Sequence, residues 1–312
     1  MTSKSCSQGC KIPLPFFYPS AEKLLFQHQT LVKFSNRHFF PNYESLFFAL
    51  ATQTEVKHLA MQLLVLLTVV LCSCPFSGAS RIVGGREARA HSRPYIASLQ
   101  IRGFHFCGGA LINEKWVLTA AHCMEDTPVD SVRVVLGAHN LQRPDSLVQE
   151  FRVQESVQNP EYNPTTFQND IHLLKLNDSA VITSGVRTIR LPVPNSDVAP
   201  RSNCSVAGWG DINDFGTSPR ALMQTNADII SRQACNRSWG GAITNTMLCA
   251  ATPGVLAKGF CSGDSGGPLV CRNRLEGAVS FSGRFCGNAM FPDVYTRVSS
   301  YLPWIETVIR QN

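Results

Sequence analysis

Beyond residue 81 the chain is poor in lysine: only Lys115, Lys175 and Lys258 occur, against 18 arginines. The whole-chain net charge of +6 therefore overstates how basic this stretch is. Of the 28 basic and 22 acidic residues, seven and three lie in residues 1–81, leaving 21 and 19 and a net charge near +2. So small and mixed a charge gives no electrostatic case for nucleic-acid binding. The same stretch holds no Cys-x-x-Cys or His-x-x-x-His pair, which argues against a zinc site. No solenoid repeat or low-complexity tract is visible. The apolar run Leu63–Leu71 is too short to span a bilayer.

That run instead fits the core of a secretory signal over residues 61–79, with small Ser77 and Ala79 suited to cleavage after Ala79. Met61 then becomes the natural start. Residues 1–60 read as an upstream extension or an artefact of gene prediction, absent from the mature protein. The other reading is a type II membrane anchor with a long cytoplasmic segment. Glu55, Lys57 and His58 interrupt the apolar stretch that it would need. Of the 12 cysteines, four (Cys6, Cys10, Cys72, Cys74) precede the mature start and eight remain. An even number in a secreted chain points to disulfides, with pairing left open by the count itself.

Short alternating or apolar runs recur between Gly, Pro, Asn and Asp: Tyr95–Ile101, Gly109–Ile112, Trp116–Ala120, Ser131–Leu136, Ile171–Leu176, Asn203–Gly208, Pro268–Cys271 and Gly277–Ser282. They read as strands of an all-β domain. The last stretch differs: Tyr301, Trp304, Ile305, Val308 and Ile309 fall at helical spacing, with Ser300 as cap.

The chemistry concentrates in Gly263-Asp264-Ser265-Gly266-Gly267-Pro268. A serine between glycines sits on a tight turn that a substrate can approach closely. It is a poor nucleophile unless a base takes its proton and a third group orients that base. Thr119-Ala120-Ala121-His122-Cys123 offers the base and Asn169-Asp170-Ile171 the orienting acid. Taken singly, His122 reads as a core histidine and Asp170 as a cap. Together, the order His122, Asp170, Ser265 and the flanking residues resemble the chymotrypsin-like serine proteases. Arg81-Ile82-Val83-Gly84-Gly85 resembles the site at which these zymogens are cut. The resemblance covers residues 82 to 312.

The resemblance implies an all-β fold of two packed six-stranded β-barrels with a C-terminal α-helix, the first barrel running to about Leu191 and the second following Pro192–Pro200. His122 and Asp170 would come from the first barrel and Ser265 from the second. It implies a serine endopeptidase working through an acyl-enzyme, with the N–H groups of Gly263 and Ser265 as oxyanion hole. After cleavage behind Arg81, the new Ile82 ammonium would pair with Asp264. The implied disulfides are Cys107–Cys123, Cys204–Cys271, Cys235–Cys249 and Cys261–Cys286. Removal of the signal would leave only the dipeptide 80–81 ahead of Ile82, which resembles granule-stored proteases of blood cells and implies a secreted or granule-lumen monomer. Protein or peptide substrates and serpin-type inhibitors are the implied partners. Arg272-Asn273-Arg274 adds a glycosaminoglycan as a minor candidate beside a merely solvated surface.

Specificity follows from the pocket that the family places around these residues. Its base falls at Gly259, where trypsin-like enzymes carry an aspartate. Phe260 follows, and the opposite walls are Ser280-Phe281-Ser282 and Pro292-Asp293-Val294-Tyr295. In one reading an arginine lies across Phe260 and reaches Ser282 and Asp293, since guanidinium stacks on aromatic faces and forks onto carboxylates. In the other, Phe260 and Asp293 close the pocket and the enzyme takes small aliphatic residues, as elastase does. Local segments around Phe260, Cys271, Ser282 and Asp293 resemble an arginine-cleaving member and favour the first. Phe167 would line the neighbouring subsite. An azurocidin-like cationic binding protein is the alternative outside enzymes, and the intact triad and small charge argue against it. Asn177, Asn203 and Asn236 match the N-glycosylation pattern, with Asn203 compromised by Cys204. Ala138 stands where the family's calcium loop needs its first acid, so no calcium, metal or cofactor is expected.

Overall fold

The computed structural model describes residues 85–143, 145–252, 259–288 and 290–312. The chain divides into two units, Met1–Phe76 and Ser77–Asn312, and the description below concerns the second. The extension 1–60, the signal 61–79, the dipeptide 80–81 and Ile82 lie outside the described residues.

Six antiparallel strands close a first barrel: β2 (Ile96–Ile101), β3 (Phe104–Asn113), β4 (Trp116–Thr119), β5 (Val132–Leu136), β6 (Gln149–Gln158) and β7 (His172–Leu176), in the order β2-β3-β4-β7-β6-β5. A second set comprises β8 (Asn203–Gly208), β9 (Met223–Ile230), β10 (Met247–Ala251), β11 (Pro268–Cys271), β12 (Arg274–Phe281) and β13 (Asp293–Arg297). It runs β9-β10-β13-β12-β11-β8 and closes through the β8–β9 pairing, with the short β1 (Arg86–Glu87) added beside β9. Closure leaves each barrel without an edge to template aggregation. Two helices complete the described residues: α1 (Arg232–Ser238) and α2 (Leu302–Gln311).

Each barrel is filled from its own strands. Leu99, Leu111, Val117, Val134, Leu136, Leu174 and Leu176 are fully buried in the first. Val206, Ala250, Leu269, Val279 and Tyr295 are fully buried in the second. A third cluster joins the barrels, packing Leu118, Ile171 and Leu173 of the first with Leu275, Ala278 and Ile305 of the second half of the chain. Buried apolar area stabilises at roughly 25 cal/mol per Å², so this seam fixes the two halves against each other. The apolar face of α2 packs there through Leu302, Ile305 and Val308. Its cap differs from expectation: Tyr301 is the N-cap with no side-chain hydrogen bond, and Ser300 Oγ instead accepts from Arg297 Nε at 2.9 Å.

The four disulfides join Cys107–Cys123, Cys204–Cys271, Cys235–Cys249 and Cys261–Cys286. Among the described residues, no helix is long and apolar enough to cross a membrane.

Candidate active site

Strand pairing brings the candidate base and acid together. β4 and β7 run antiparallel with Thr119 opposite His172. His122, three residues past the end of β4, therefore meets Asp170, two residues before the start of β7. Their imidazole Nδ1 and carboxylate Oδ2 are 2.8 Å apart. The Cys107–Cys123 bridge anchors the residue after His122 to β3. Asp170 is fully buried, a position that an acid tolerates only with several partners. It has them. Oδ1 accepts from the His122 N–H at 3.0 Å, and Oδ2 accepts from the Ser280 hydroxyl at 2.5 Å as well as from the imidazole. The Asp170 carbonyl accepts from Thr296 Oγ1 at 2.7 Å. Because that carboxylate only accepts, His122 Nδ1 carries the proton and Nε2 is left free to take one.

Ser265 sits on the turn that leads into β11. The turn lies against the His122 segment: Gly108 N–H donates to the Ser265 carbonyl at 2.7 Å. A Cβ on Gly266 would strike Thr119 Oγ1, Gly108 O and Ala120 N, so no other residue fits there. Among the described residues no hydrogen bond joins Ser265 Oγ to His122, a contact that commonly tightens only with substrate. The N–H groups of Gly263 and Ser265 donate to nothing among the described residues, whereas those of Asp264, Gly266 and Gly267 are all paired within the turn or to Val279. Two adjacent unpaired amides on a glycine turn at φ 93° form an acceptor-seeking site.

His105 holds that turn from the other barrel. Its Nε2 lies 2.9 Å from the Gly263 carbonyl and its Nδ1 2.8 Å from Ser98 Oγ, which also accepts from Gln100 Nε2 at 3.1 Å. The carbonyl can only accept, so Nε2 bears the hydrogen. Burial pushes the His105 imidazole down to about 4, with the bond to Gly263 opposing, so the ring is neutral near pH 7. Sequence reasoning missed His105 and Ser98. Only spatial neighbourhood reveals them, since 158 residues separate His105 from Gly263.

Asp264 points away from the cleft and is 1% exposed. Oδ1 accepts from Gly210 N–H at 2.9 Å and Oδ2 from Cys261 N–H at 3.0 Å. Burial raises its carboxyl to about 7, against the two backbone bonds, and Asp211 adds to the rise. Its expected partner, Ile82, lies outside the described residues.

Gly259, Phe260 and Asp293 lie together. A Cβ on Gly259 would run into Asp293 Oδ2 and crowd the Gly287 Cα. Asp293 thus delivers, from β13, a carboxylate into the space that a side chain at 259 would take, and the two positions cannot both be acidic. Its Oδ2 accepts from Phe260 N–H at 3.2 Å, while buried Oδ1 has no partner among the described residues. Burial pushes this carboxyl up to about 8; the Phe260 bond opposes and Asp264 adds. Phe260 is 4% exposed and its ring meets Tyr295 edge-on inside the barrel, centroids 5.3 Å apart, so it offers no open face to the cleft. Ser280, assigned to the pocket wall from sequence, spends its hydroxyl on Asp170 instead. Ser282 remains part-exposed, its hydroxyl 3.4 Å from the Gly283 carbonyl.

Aromatic rings line one side of the cleft. Phe167, held at φ 53°, packs edge-on against His122 at 5.6 Å and tilted against Phe281 at 5.7 Å. Trp239 continues the row, contacting Phe281 at 5.1 Å and Phe291 at 5.3 Å. Trp239 and Phe291 were not singled out from sequence. Among the glycosylation candidates, Asn177 is exposed, Asn203 Nδ2 is engaged by Asp228 at 2.7 Å, and Asn236 Oδ1 accepts from Ile243 N–H at 2.8 Å.

The fold agrees with comparisons against known proteins. The family profile described as Trypsin matches residues 82–305. The chain belongs to the trypsin family of serine proteases. It is 47% identical over 232 residues to Serine protease 57 of Mus musculus, covering 74% of this chain and 82% of the relative. The Homo sapiens counterpart is 44% identical over 237 residues, covering 76% and 84%. Neutrophil elastase of Mus musculus is 40% identical over 234 residues, covering 75% and 84%. Among solved structures, a human heparin binding protein superposes with a TM-score of 0.68 at 37% identity, covering 74% of this chain and 98% of that one. The chain is therefore a trypsin-family serine endopeptidase, resembling Serine protease 57, and acts on protein or peptide substrates.

Proposed function

We propose that this enzyme is a secreted, granule-type endopeptidase that cleaves after arginine. Ser265 attacks the scissile carbonyl while His122 accepts its proton and returns it to the leaving amine. Asp170 fixes the imidazole tautomer and stabilises the imidazolium. The Gly263 and Ser265 N–H groups receive the developing oxyanion, where one donor is typically worth about 10²–10³ in rate. Removing the signal 61–79 and the dipeptide 80–81 frees the Ile82 ammonium to pair with Asp264, leaving 82–312 as the protease domain. Four disulfides suit an oxidising, extracytoplasmic compartment. Serpin-type inhibitors follow from the mechanism, and N-glycosylation is assigned first to exposed Asn177. A glycosaminoglycan at Arg272 and Arg274 is a weaker reading, because Glu276 and Asp197 line the same pocket of about 260 Å³.

The observation that carries arginine specificity is the Asp293 carboxylate, buried beside Gly259 with one oxygen lacking a donor among the described residues. A substrate guanidinium that displaces the Phe260 ring supplies that donor and reaches Ser282 on the way. Elastase-like cleavage after small residues is the second reading, favoured by how completely Phe260 is buried. A cleavage profile of protein beginning at Ile82 against a diverse peptide library decides between them. Cuts after arginine support the first reading and cuts after valine or alanine the second. No cuts with Ile82 verified as the N-terminus favour an azurocidin-like binding role. Ser265→Ala is the control, expected to lower turnover by about six orders of magnitude if the three residues act as a unit.

A further inference from the structure

The loop that follows the Ser282 wall carries an arginine of its own. Residues 283–286 join β12 to the Cys261–Cys286 bridge. Gly283 is packed down, since a Cβ there would come within 2.8 Å of Phe291 Cβ. Cys286 is pinned by its disulfide and by its N–H donating to Asp214 Oδ1 at 2.8 Å. Between these anchors Arg284 and Phe285 stand in solvent, Phe285 at 54% exposure, with the guanidinium 5.8 Å from the ring centroid. Neither residue gives or takes a backbone hydrogen bond among the described residues. A protease binds its substrate as an extended strand, through main-chain hydrogen bonds that the substrate must have free. Exposed loop tips are where such cuts concentrate.

Four other arginines on the surface are protected. Arg102 and Arg272 open the two-residue tips of the β2–β3 and β11–β12 hairpins, at φ 54° and 50°, and could be extended only by unzipping strands. Arg143 is followed by Pro144, whose ring crowds the leaving nitrogen. Arg237 lies within α1.

We propose that Arg284–Phe285 is a self-cleavage site at which one copy of the enzyme inactivates another; this rests on the arginine specificity argued above. Ser265 Oγ of the attacking copy adds to the Arg284 carbonyl carbon. The C–N bond breaks as His122 passes the serine proton to the Phe285 nitrogen. One water then hydrolyses the ester, regenerating Ser265 and leaving a carboxylate on Arg284 and an ammonium on Phe285. Attack comes from a second molecule because the loop, anchored at Gly283 and Cys286, cannot swing into the cleft of its own copy. The cut frees the Ser282 side of that wall from its disulfide tether while Cys261–Cys286 keeps both fragments in one molecule.

The test incubates protein beginning at Ile82 and follows it by mass spectrometry with and without reduction, alongside cleavage of an arginine peptide. The expected result is a mass gain of one water without reduction, a fragment beginning at Phe285 after reduction, and an initial rate rising with the square of enzyme concentration. Arginine-peptide cleavage should be lost in step. Arg284→Gln should keep peptide cleavage and stay whole. Arginine peptides cleaved while Arg284–Phe285 stays intact, or is cut second to another bond, would overturn the inference and leave the specificity standing. If arginine peptides are not cleaved, the specificity fails and the inference with it. The Ser265→Ala protein treated with trypsin tests accessibility independently: resistance of this bond overturns the inference whatever the enzyme's own specificity.

Discussion

The Asp170 carboxylate accepts three hydrogen bonds in a fully buried position, and one comes from Ser280 in the second barrel. A hydrogen bond to a charged group contributes about 1.5–3 kcal/mol. Ser280→Ala should therefore lower kcat by about tenfold or more with KM little changed, because it touches the acid and not the substrate. Steady-state kinetics on one peptide checks this, and a rise in KM alone would return Ser280 to the pocket wall. Asp293 makes a second prediction. A guanidinium needs the carboxylate ionised, and burial holds this one at about 8. The ratio of kcat/KM for arginine over alanine peptides should thus rise with pH through a midpoint near 8 and level off above it; loss from protonating the base is common to both substrates and cancels. A flat ratio would remove Asp293 from recognition. As candidates, His122, Asp170, Ser265, Gly263 and Gly259 were legible because each stands in a contiguous motif. Ser280's hydroxyl was not, since its partner lies 110 residues away. The inward turn of Phe260 was also invisible, because direction depends on Tyr295 and not on local pattern.

Among elements, the strands that sequence revealed are those with dense apolar runs, such as Ile96–Ile101 and Trp116–Thr119. β6 reads Gln-Glu-Phe-Arg-Val-Gln-Glu-Ser-Val-Gln and commits only Phe151 and Val153 to the core. β9 alternates properly in burial, but places Thr225 and Ala227 on its inner face, too weak a signal against Gln224, Asn226 and Asp228. β10 has no β-branched residue. The helix α1 was missed though its start was written in the chain: Ser231 Oγ accepts from Ala234 N–H at 3.2 Å. A cap of this kind is worth about 0.5–2 kcal/mol. Ser231→Ala should lower stability by about 1 kcal/mol without altering kcat/KM, as chemical denaturation and peptide assays would show. A change in kcat/KM would mean that α1 is coupled to the neighbouring Trp239 row. The disulfide pairing came from family resemblance and could not have come from counting cysteines.

At the scale of the whole molecule, two buried acids and two buried histidines shape the pH response. Asp264 and Asp293 are raised from 3.8 to about 7 and about 8. Between about pH 4 and these values the folded state holds protons that the unfolded chain has released, so the stability contributed by both groups falls as pH rises through that window. Activation is expected to relieve Asp264 by giving it the Ile82 ammonium. Buried His105 and His172, held down to about 4, oppose this below about pH 6.5, so uncleaved Ser265→Ala protein should melt at progressively lower temperature from about pH 6.5 to 8. The same variant beginning at Ile82 should decline less. Parallel melting curves would show that the new terminus never reaches Asp264.

The chain from Gln100 through Ser98 and His105 to the Gly263 carbonyl crosses from one barrel to the other. His122 and Asp170 lie on one side of that crossing, Ser265 and the Gly263 and Ser265 amides on the other. A reagent that acylates Ser265 therefore counts molecules whose halves are seated together, and not folded molecules in general. Titrating the nucleophile during mild denaturation should fall before strand content does, so that the enzyme reports the docking of its own halves through its chemistry.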